Sequence, residues 1–246
     1  MRIRVDLSPR DDYTGELVVL VDVLRAGTTA PLLFDMGATE VLLTGSFGTA
    51  RKSAGDGVVL VGDRAGVLPE GFNLPASPQM LLKRKLQAPR AVLVSENASA
   101  LLPGLLGASE VLLASLFNAG ALAAAIEELQ PGSVALVCAG YQGREDLDDL
   151  LAAGFITGQL QRLSDSAQLD GAARLGLSLV RAFPDPLDGL WYSAAGEMLR
   201  NGDLQDDLAI ASQIGQSPVV PRLSARSELG KAGLYSFERL GAPADK

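Results

Sequence analysis

The sequence predicts an α/β chain: three α/β/α layers around a mixed, largely parallel sheet, with a helix-rich C-terminal half. Two observations lead there. Short apolar runs rich in β-branched residues recur from Ile3 to Val137, and segments with helical apolar spacing separate many of them. That alternation is the signature of parallel strands joined by crossover helices. Beyond about residue 145 the strand-like runs give way to Ala and Leu faces of helical period.

In order, strand centres are expected at Ile3–Val5, Leu17–Val21, Val41–Leu43, Val58–Val61, Ala91–Val94, Val111–Leu113 and Val134–Val137. Helices are expected at Ala30–Met36, Thr49–Ser53, Pro78–Lys85, Ala98–Leu105, Asn118–Leu129 and Glu145–Leu163. Ser166–Ala182, Leu187–Leu199 and Asp206–Gln213 continue the helical pattern. A short extended piece, Pro218–Pro221, follows, and the tail from Gly241 to Lys246 reads as frayed. No Ser/Gly linker divides the chain, so 1–246 reads as one domain, with a helical subdomain over 145–215 as the alternative.

Composition narrows the function classes. Hydrophobic residues make up 48% and charged residues 20%, the balance of a packed globular chain. A net charge of −8 argues against nucleic acid or an anionic membrane as partner. A small anionic ligand stays open, because a few Arg side chains and backbone amides can hold a phosphate in an acidic protein. The lone cysteine, Cys138, rules out an intrachain disulfide or a cysteine metal cluster. The start of the chain lacks a signal-peptide core and no apolar run is of membrane-spanning length, so a soluble cytoplasmic protein is expected. Histidine is absent, which removes Ser-His-Asp and Cys-His mechanisms, phosphohistidine chemistry and His-based metal sites. Carboxylates, Lys, Arg, hydroxyls, the thiol, or a hard metal such as magnesium remain.

Five apolar runs end in polar or small residues, which places a convergent site at the carboxyl ends of the strands. Val18–Val21 delivers Asp22, Arg25, Thr28 and Thr29, and Val58–Val61 delivers Gly62-Asp63-Arg64-Ala65-Gly66. Ala91–Val94 delivers Ser95-Glu96-Asn97-Ala98-Ser99, and Val111–Leu113 leads to Ser115 and Asn118. Val134–Val137 delivers Cys138, Gly140, Gly143 and Arg144. Turn and capping chemistry uses these residue types too. Asp22 and Asp63 could share magnesium, or divide the work of nucleophile and metal ligand, while Arg25 and Arg64 clamp a phosphate through their planar forks. The spacing from Cys138 to Arg144 is that of thiol phosphatases, although no His precedes the Cys and no Ser or Thr follows the Arg. The Pro- and Gly-rich loop Pro69–Pro78 is long enough to lie over the site as a lid.

Taken together, the Asp22–Thr29 and Gly62–Gly66 motifs, the Gly71-Phe72-Asn73-Leu74…Ser77-Pro78 loop, Ser115–Ala119, and Cys138…Asp148-Asp149…Ala153-Gly154 resemble the 2-phosphosulfolactate phosphatase family. The resemblance covers roughly residues 15–225. It implies an α/β/α fold and a magnesium-dependent acid phosphatase that converts 2-phospho-3-sulfolactate to sulfolactate, a coenzyme M precursor in some organisms. Asp63 stands where the family usually has Glu. Ser95-Glu96-Asn97-Ala98-Ser99-Ala100 stands where it has Thr-Thr-Asn-Gly-Thr-Arg, so the loop's glycine is filled and its arginine is gone. The resulting expectation is a phosphatase for 2-phosphosulfolactate or a related phosphorylated acid. Asp22 and Asp63 supply the magnesium ligands and the nucleophile or base. Arg25 and Arg64 clamp the phosphoryl group, and Thr28, Asn97, Ser99, Asn118, Cys138, Gly140, Gly143 and Arg144 surround it. The rivals are metal-free thiol chemistry at Cys138 and Arg144, and a ligand-binding homologue that has lost turnover. The partner is a small anionic phosphate ester, and a homodimer is left open.

Overall fold

The computed structural model describes residues 1–241 apart from Ala65, Gln87, Asp165, Gly230 and Lys231. The expected frayed tail beyond Gly241 lies outside the described residues. The chain begins with β1 (Arg2–Asp6), β2 (Leu17–Val21), α1 (Ala26–Asp35), β3 (Glu40–Thr44), α2 (Phe47–Lys52) and β4 (Val58–Val61). It continues through α3 (Pro78–Leu81), β5 (Arg90–Val94), α4 (Glu96–Leu105) and β6 (Glu110–Ala114). A 3-10 turn over Leu116–Asn118 leads to α5 (Ala119–Leu129), β7 (Ser133–Cys138) and α6 (Leu147–Leu163). The last part holds β8 (Gln168–Leu169), α7 (Gly171–Ala182), α8 (Pro186–Tyr192), α9 (Ala194–Asn201), α10 (Asp206–Ala211), β9 (Pro221–Leu229) and β10 (Ala232–Arg239).

The strands form one sheet in the order β4-β5-β3-β10-β9-β6-β2-β7-β1-β8. Two parallel blocks, β8-β1-β7-β2-β6 and β3-β5-β4, are joined through the antiparallel hairpin β9–β10. β2 shows why its apolar run has no polar break: Val19 and Val21 enter one core, while Val18 and Leu20 enter another. α1 and α4 touch strands of both blocks and form their shared layer. α5 and α6 cover the outer face of the first block, and α2 covers that of the second. The expected α/β/α layering is therefore present.

Three antiparallel steps separate β6 from β3, so the two blocks run nominally in opposite directions. Sheet twist, roughly 20–25° per strand pair, turns them around α1 and α4. The carboxyl ends of β2 and β7 thereby meet those of β4 and β5. The functional edge is a junction of two blocks rather than one continuous row.

Several boundaries differ from the sequence expectation. The extended piece expected at Pro218–Pro221 is the entry to a long hairpin. In β10, Leu234 enters one core and Tyr235 and Phe237 another, but Ser236 interrupts the apolar run by which buried strands are recognised. The expected Ser166–Ala182 helix starts only at Gly171, where the Asp170 carboxylate accepts the Ala173 N–H at 2.7 Å. Ser193 breaks the expected Leu187–Leu199 helix by capping α9 through the Gly196 N–H. Among the described residues, no helix is long and apolar enough to cross a membrane.

Candidate active site

A cavity of about 280 Å³ lies where the carboxyl ends of β2, β4, β5 and β7 converge. Arg25 and Ala26 bring the start of α1 to it, and Ser95, Glu96 and Asn97 bring the start of α4. The first N–H groups of α1 are spent inside the fold, Ala26 and Gly27 on Asp22 and Thr28 and Thr29 on the Arg25 carbonyl. It is therefore the start of α4 that presents backbone N–H groups and partial positive charge suited to an anion. The close approach of β2, β6 and α1 depends on Gly27, where a Cβ would sit 2.2 Å from the Ala114 carbonyl oxygen.

The front wall is a paired charge system. Arg25 Nη2 donates to both Asp63 oxygens at 3.1 Å, and its Nη1 donates to Asp207 Oδ2 at 3.2 Å. Asp63 also accepts the Gly66 and Ala76 N–H groups, each at 2.9 Å. Both of its oxygens are thus engaged, and the carboxylate anchors Arg25 and the loop after β4. Asp207 additionally accepts the Ser77 hydroxyl at 2.6 Å and the Gln79 N–H at 3.1 Å. Burial raises the Asp207 pKa, while Ser77 and Arg25 pull it back. Arg64 is exposed at the rim, with its guanidinium 4.5 Å from the centre of the Phe47 ring.

The loop Pro69–Pro78 is a fixed wall rather than a free lid. Asn73 accepts the Leu60 N–H at 2.7 Å, Leu74 bridges to Val61, and the Ala76 carbonyl accepts the Thr29 hydroxyl at 2.8 Å.

Behind the wall lies a second acidic system. Asp22 is 2% exposed; its carboxylate accepts the Ala26 N–H at 2.9 Å and the hydroxyl of the cavity-lining Ser95 at 3.3 Å. Burial pushes its pKa up to about 6, against the pull of Ala26, Ser95 and Ala98. Asp149 accepts the Val23 and Gly140 N–H groups at 2.8 and 2.7 Å, stitching the end of β2 to that of β7. Burial, followed by repulsion from Asp22, pushes its pKa well up. Asp148 is raised in the same way, by burial and then by Asp149, and its Oδ1 is buried with no hydrogen-bond partner. Asp148 and Asp149 entered the sequence reading as part of the motif that carries the family resemblance, without a place in the site. Asp207 carried no signal beyond an acidic helix start.

The remaining expected residues divide. Asn97 lines the cavity and accepts the Gln142 N–H at 3.2 Å, linking α4 to the loop after β7. Thr28 is fully buried and spends its hydroxyl on the Val23 carbonyl and Ser115, so it is a structural residue. Asn118 is also fully buried, closing the 3-10 turn at Ser115 and donating to the Val219 carbonyl. Ser99 is buried with an unpartnered hydroxyl and is absent from the described lining.

The expected cradle from Cys138 to Arg144 is not formed. Cys138 is buried, and burial followed by repulsion from Asp149 and Asp148 pushes its thiol well up, away from thiolate. The Gly140 N–H points to Asp149. At φ +67° a Cβ on Gly140 would meet the Arg144 carbonyl oxygen at 2.1 Å. Gln142 and Gly143 form a tight turn with positive φ, closed by reciprocal Tyr141–Arg144 hydrogen bonds. Arg144 is exposed, and neither it nor Gly143 belongs to the described lining.

The family model described as 2-phosphosulpholactate phosphatase matches residues 3–226. A Thermus thermophilus protein named probable 2-phosphosulfolactate phosphatase is 37% identical over 96% of this chain and 99% of its own length. A Deinococcus radiodurans protein of the same name is 37% identical over 91% of this chain and 93% of its own. One from Symbiobacterium thermophilum, also so named, is 28% identical over 88% and 95%.

Proposed function

The chain belongs to the 2-phosphosulpholactate phosphatase family, and from that premise we propose that it is a phosphoric monoester hydrolase releasing phosphate from 2-phosphosulfolactate or a related phosphorylated acid. One observation carries the reading: the N-terminus of α4 and the guanidiniums of Arg25 and Arg64 converge on a single cavity. Arg25 is held from behind by Asp63 and Asp207, so its fork is oriented before substrate arrives. Donors fixed in advance stabilise the charge that spreads over the phosphoryl oxygens during transfer.

In the proposed step, a water oxygen bonds to phosphorus as the ester P–O bond breaks. The water proton moves through the Ser95 hydroxyl to Asp22, whose pKa near 6 suits a proton acceptor working close to neutrality. The alcohol leaves with a proton returned by the same route or from solvent.

Magnesium, which the family resemblance implies, does not fit the Asp22–Asp63 pair, because both Asp63 oxygens are committed to Arg25 and to backbone N–H groups. Its donor chemistry is met at the rear by Asp148, with its buried, unpartnered Oδ1, beside Asp149, while Asp22 is kept for the proton. Among the described residues no three acidic or thiol groups converge on a metal-binding point. Two carboxylates and water would suffice for this ion, which when bound would neutralise the charge of the buried acids. We place the reaction in the cytoplasm, where a single free cysteine is the ordinary pattern.

The test is phosphate release from p-nitrophenyl phosphate and 2-phosphosulfolactate by wild type, Asp22→Asn and Ser95→Ala, with magnesium or with EDTA. Asp22→Asn is expected to lose at least a hundredfold in kcat, and Ser95→Ala less. No release from any ester by folded wild type would overturn the reading and favour a binding protein that has lost turnover.

A further inference from the structure

Arg25 and Arg64 are the two cations in the described lining of the cavity, and they are held in opposite ways. The Arg25 guanidinium is compensated by two carboxylates, Asp63 and Asp207, before any ligand arrives. The Arg64 guanidinium has no ion pair and no hydrogen bond among the described residues. It rests instead on the Phe47 ring, 4.5 Å from its centre. A ring face steadies the planar ion and leaves the N–H groups at its edge free to donate. Phe47 is braced in turn: its ring centre lies 5.3 Å from that of the buried Phe72, at an interplanar angle of 56°. Gly62 makes room for the pair, since a Cβ there would stand 3.1 Å from Phe72 Cε1 and 3.5 Å from Phe47 Cε1. Reciprocal hydrogen bonds with Val67, each 3.0 Å, fix the Arg64 backbone.

The cavity thus holds two anchors at different depths. Arg25 and Ser95 mark the place of the phosphoryl group, while Arg64 is exposed at the rim. In 2-phosphosulfolactate the carboxylate hangs on the carbon that bears the phosphate, and the sulfonate on the next carbon. The sulfonate is therefore the anion that extends furthest from phosphorus, and a pair of its oxygens matches the guanidinium fork. Resting on the phosphatase reading above, we propose that Arg64, seated on Phe47, binds the substrate's sulfonate and sets the preference for it. Phe47 is the positioning residue. The clamp of both arginines on the phosphoryl group expected from the sequence is divided: Arg25 serves the phosphoryl group and Arg64 the distal anion.

A matched pair tests this, because 2-phosphosulfolactate and 2-phospholactate differ only by the sulfonate. Their kcat/KM values are measured beside p-nitrophenyl phosphate as an activity control. Wild type is expected to prefer 2-phosphosulfolactate by about tenfold or more, and Arg64→Ala to cut that preference by about fivefold or more, chiefly through KM. Phe47→Leu should lower the preference by a smaller factor, and Phe47→Trp should restore it, because a ring again seats the guanidinium. Both esters are measured on one preparation, so the ratio does not depend on the folded fraction. Equal losses on the two esters in Arg64→Ala place Arg64 on the phosphoryl group and overturn the inference, leaving the phosphatase reading intact. A wild type indifferent to the sulfonate, or a Phe47→Leu ratio equal to that of wild type, overturns it in the same way. Hydrolysis of none of the three esters by folded wild type overturns both.

Discussion

The two walls of the site use the same side chain to opposite ends. At the front, each Asp63 oxygen accepts both from Arg25 and from a backbone N–H. At the rear, Asp22, Asp148 and Asp149 sit together out of water, and one Asp148 oxygen has no partner. The front is complete without a ligand, as a device for fixing geometry should be. The rear is incomplete by itself, and a proton or a cation would lower its energy. Position and chemistry are thus assigned to different walls.

The largest expected effect comes from opening the front. Arg25→Ala removes the central cation and leaves the Asp63 and Asp207 side chains, both 0% exposed, facing each other unpaired. Activity should fall by roughly 10²–10³-fold, and stability by about 3–5 kcal/mol, the usual result of breaking a buried ion pair by removing one partner. Arg25→Lys keeps the charge but cannot span both acids with a planar fork. A lysine variant within threefold of wild-type kcat/KM would show that charge alone suffices, and the geometric account of the front would fail.

The rear should respond to pH instead. A carboxylate whose pKa is raised on folding binds more protons folded than unfolded, so its contribution favours the folded state least at high pH. For Asp22 this loss runs from about pH 4, the ordinary aspartate value, to about 6, and is on the order of 3 kcal/mol. Asp148 and Asp149 extend the window upward. The urea midpoint should therefore fall between pH 5 and pH 7.5. Asp148→Asn should flatten that slope and add about 1–2 kcal/mol at pH 7.5, because a neutral amide replaces a repelled charge. A steeper slope in the variant would refute the assignment of strain to this cluster.

Magnesium alone gives a smaller test of the same wall. Millimolar magnesium without substrate is expected to raise the wild-type Tm by about 2–4 °C, the shift produced by roughly 1 kcal/mol of preferential binding in a chain of this size. In Asp148→Asn the increment should disappear. An equal increment in both proteins would place any bound ion elsewhere.

The sequence made one half of this comparison visible and hid the other. Asp22 and Arg25 stood out because they end an unbroken apolar run, and such a run has to be a strand buried on both faces. Asp63 stood out for the same reason, but as a catalytic acid, since its bond to Arg25 crosses 38 residues of sequence. Asp207 lies 182 residues from Arg25 and entered the sequence reading only as part of a polar helix start. The adjacent acids Asp148 and Asp149 entered as part of the family motif, and nothing local suggested their burial. Packing of α6 against β2 and β7 takes them out of water, and no local pattern encodes it. The hairpin β9–β10 escaped because polar residues separate its inward side chains. With it went the joint that turns one parallel block toward the other.

Cys138 offers the smallest expected effect and a sharp check on which wall does chemistry. It ends β7 beside the rear acids, 1% exposed, with its thiol pushed up by burial and by their repulsion. A thiol so placed is a small core residue. Cys138→Ala should change kcat/KM by less than twofold and lower stability by about 1 kcal/mol through the lost contact. Cys138→Ser should leave activity similar while costing somewhat more stability, because it buries a hydroxyl among carboxylates and apolar side chains. Each variant would be measured for phosphate release and for urea midpoint in the same buffer. A hundredfold loss of activity in both, with midpoints close to wild type, would put the nucleophile on sulfur. Asp148 and Asp149 would then have to be read as groups that move to release it, and the division into a positioning front and an acidic rear would not survive.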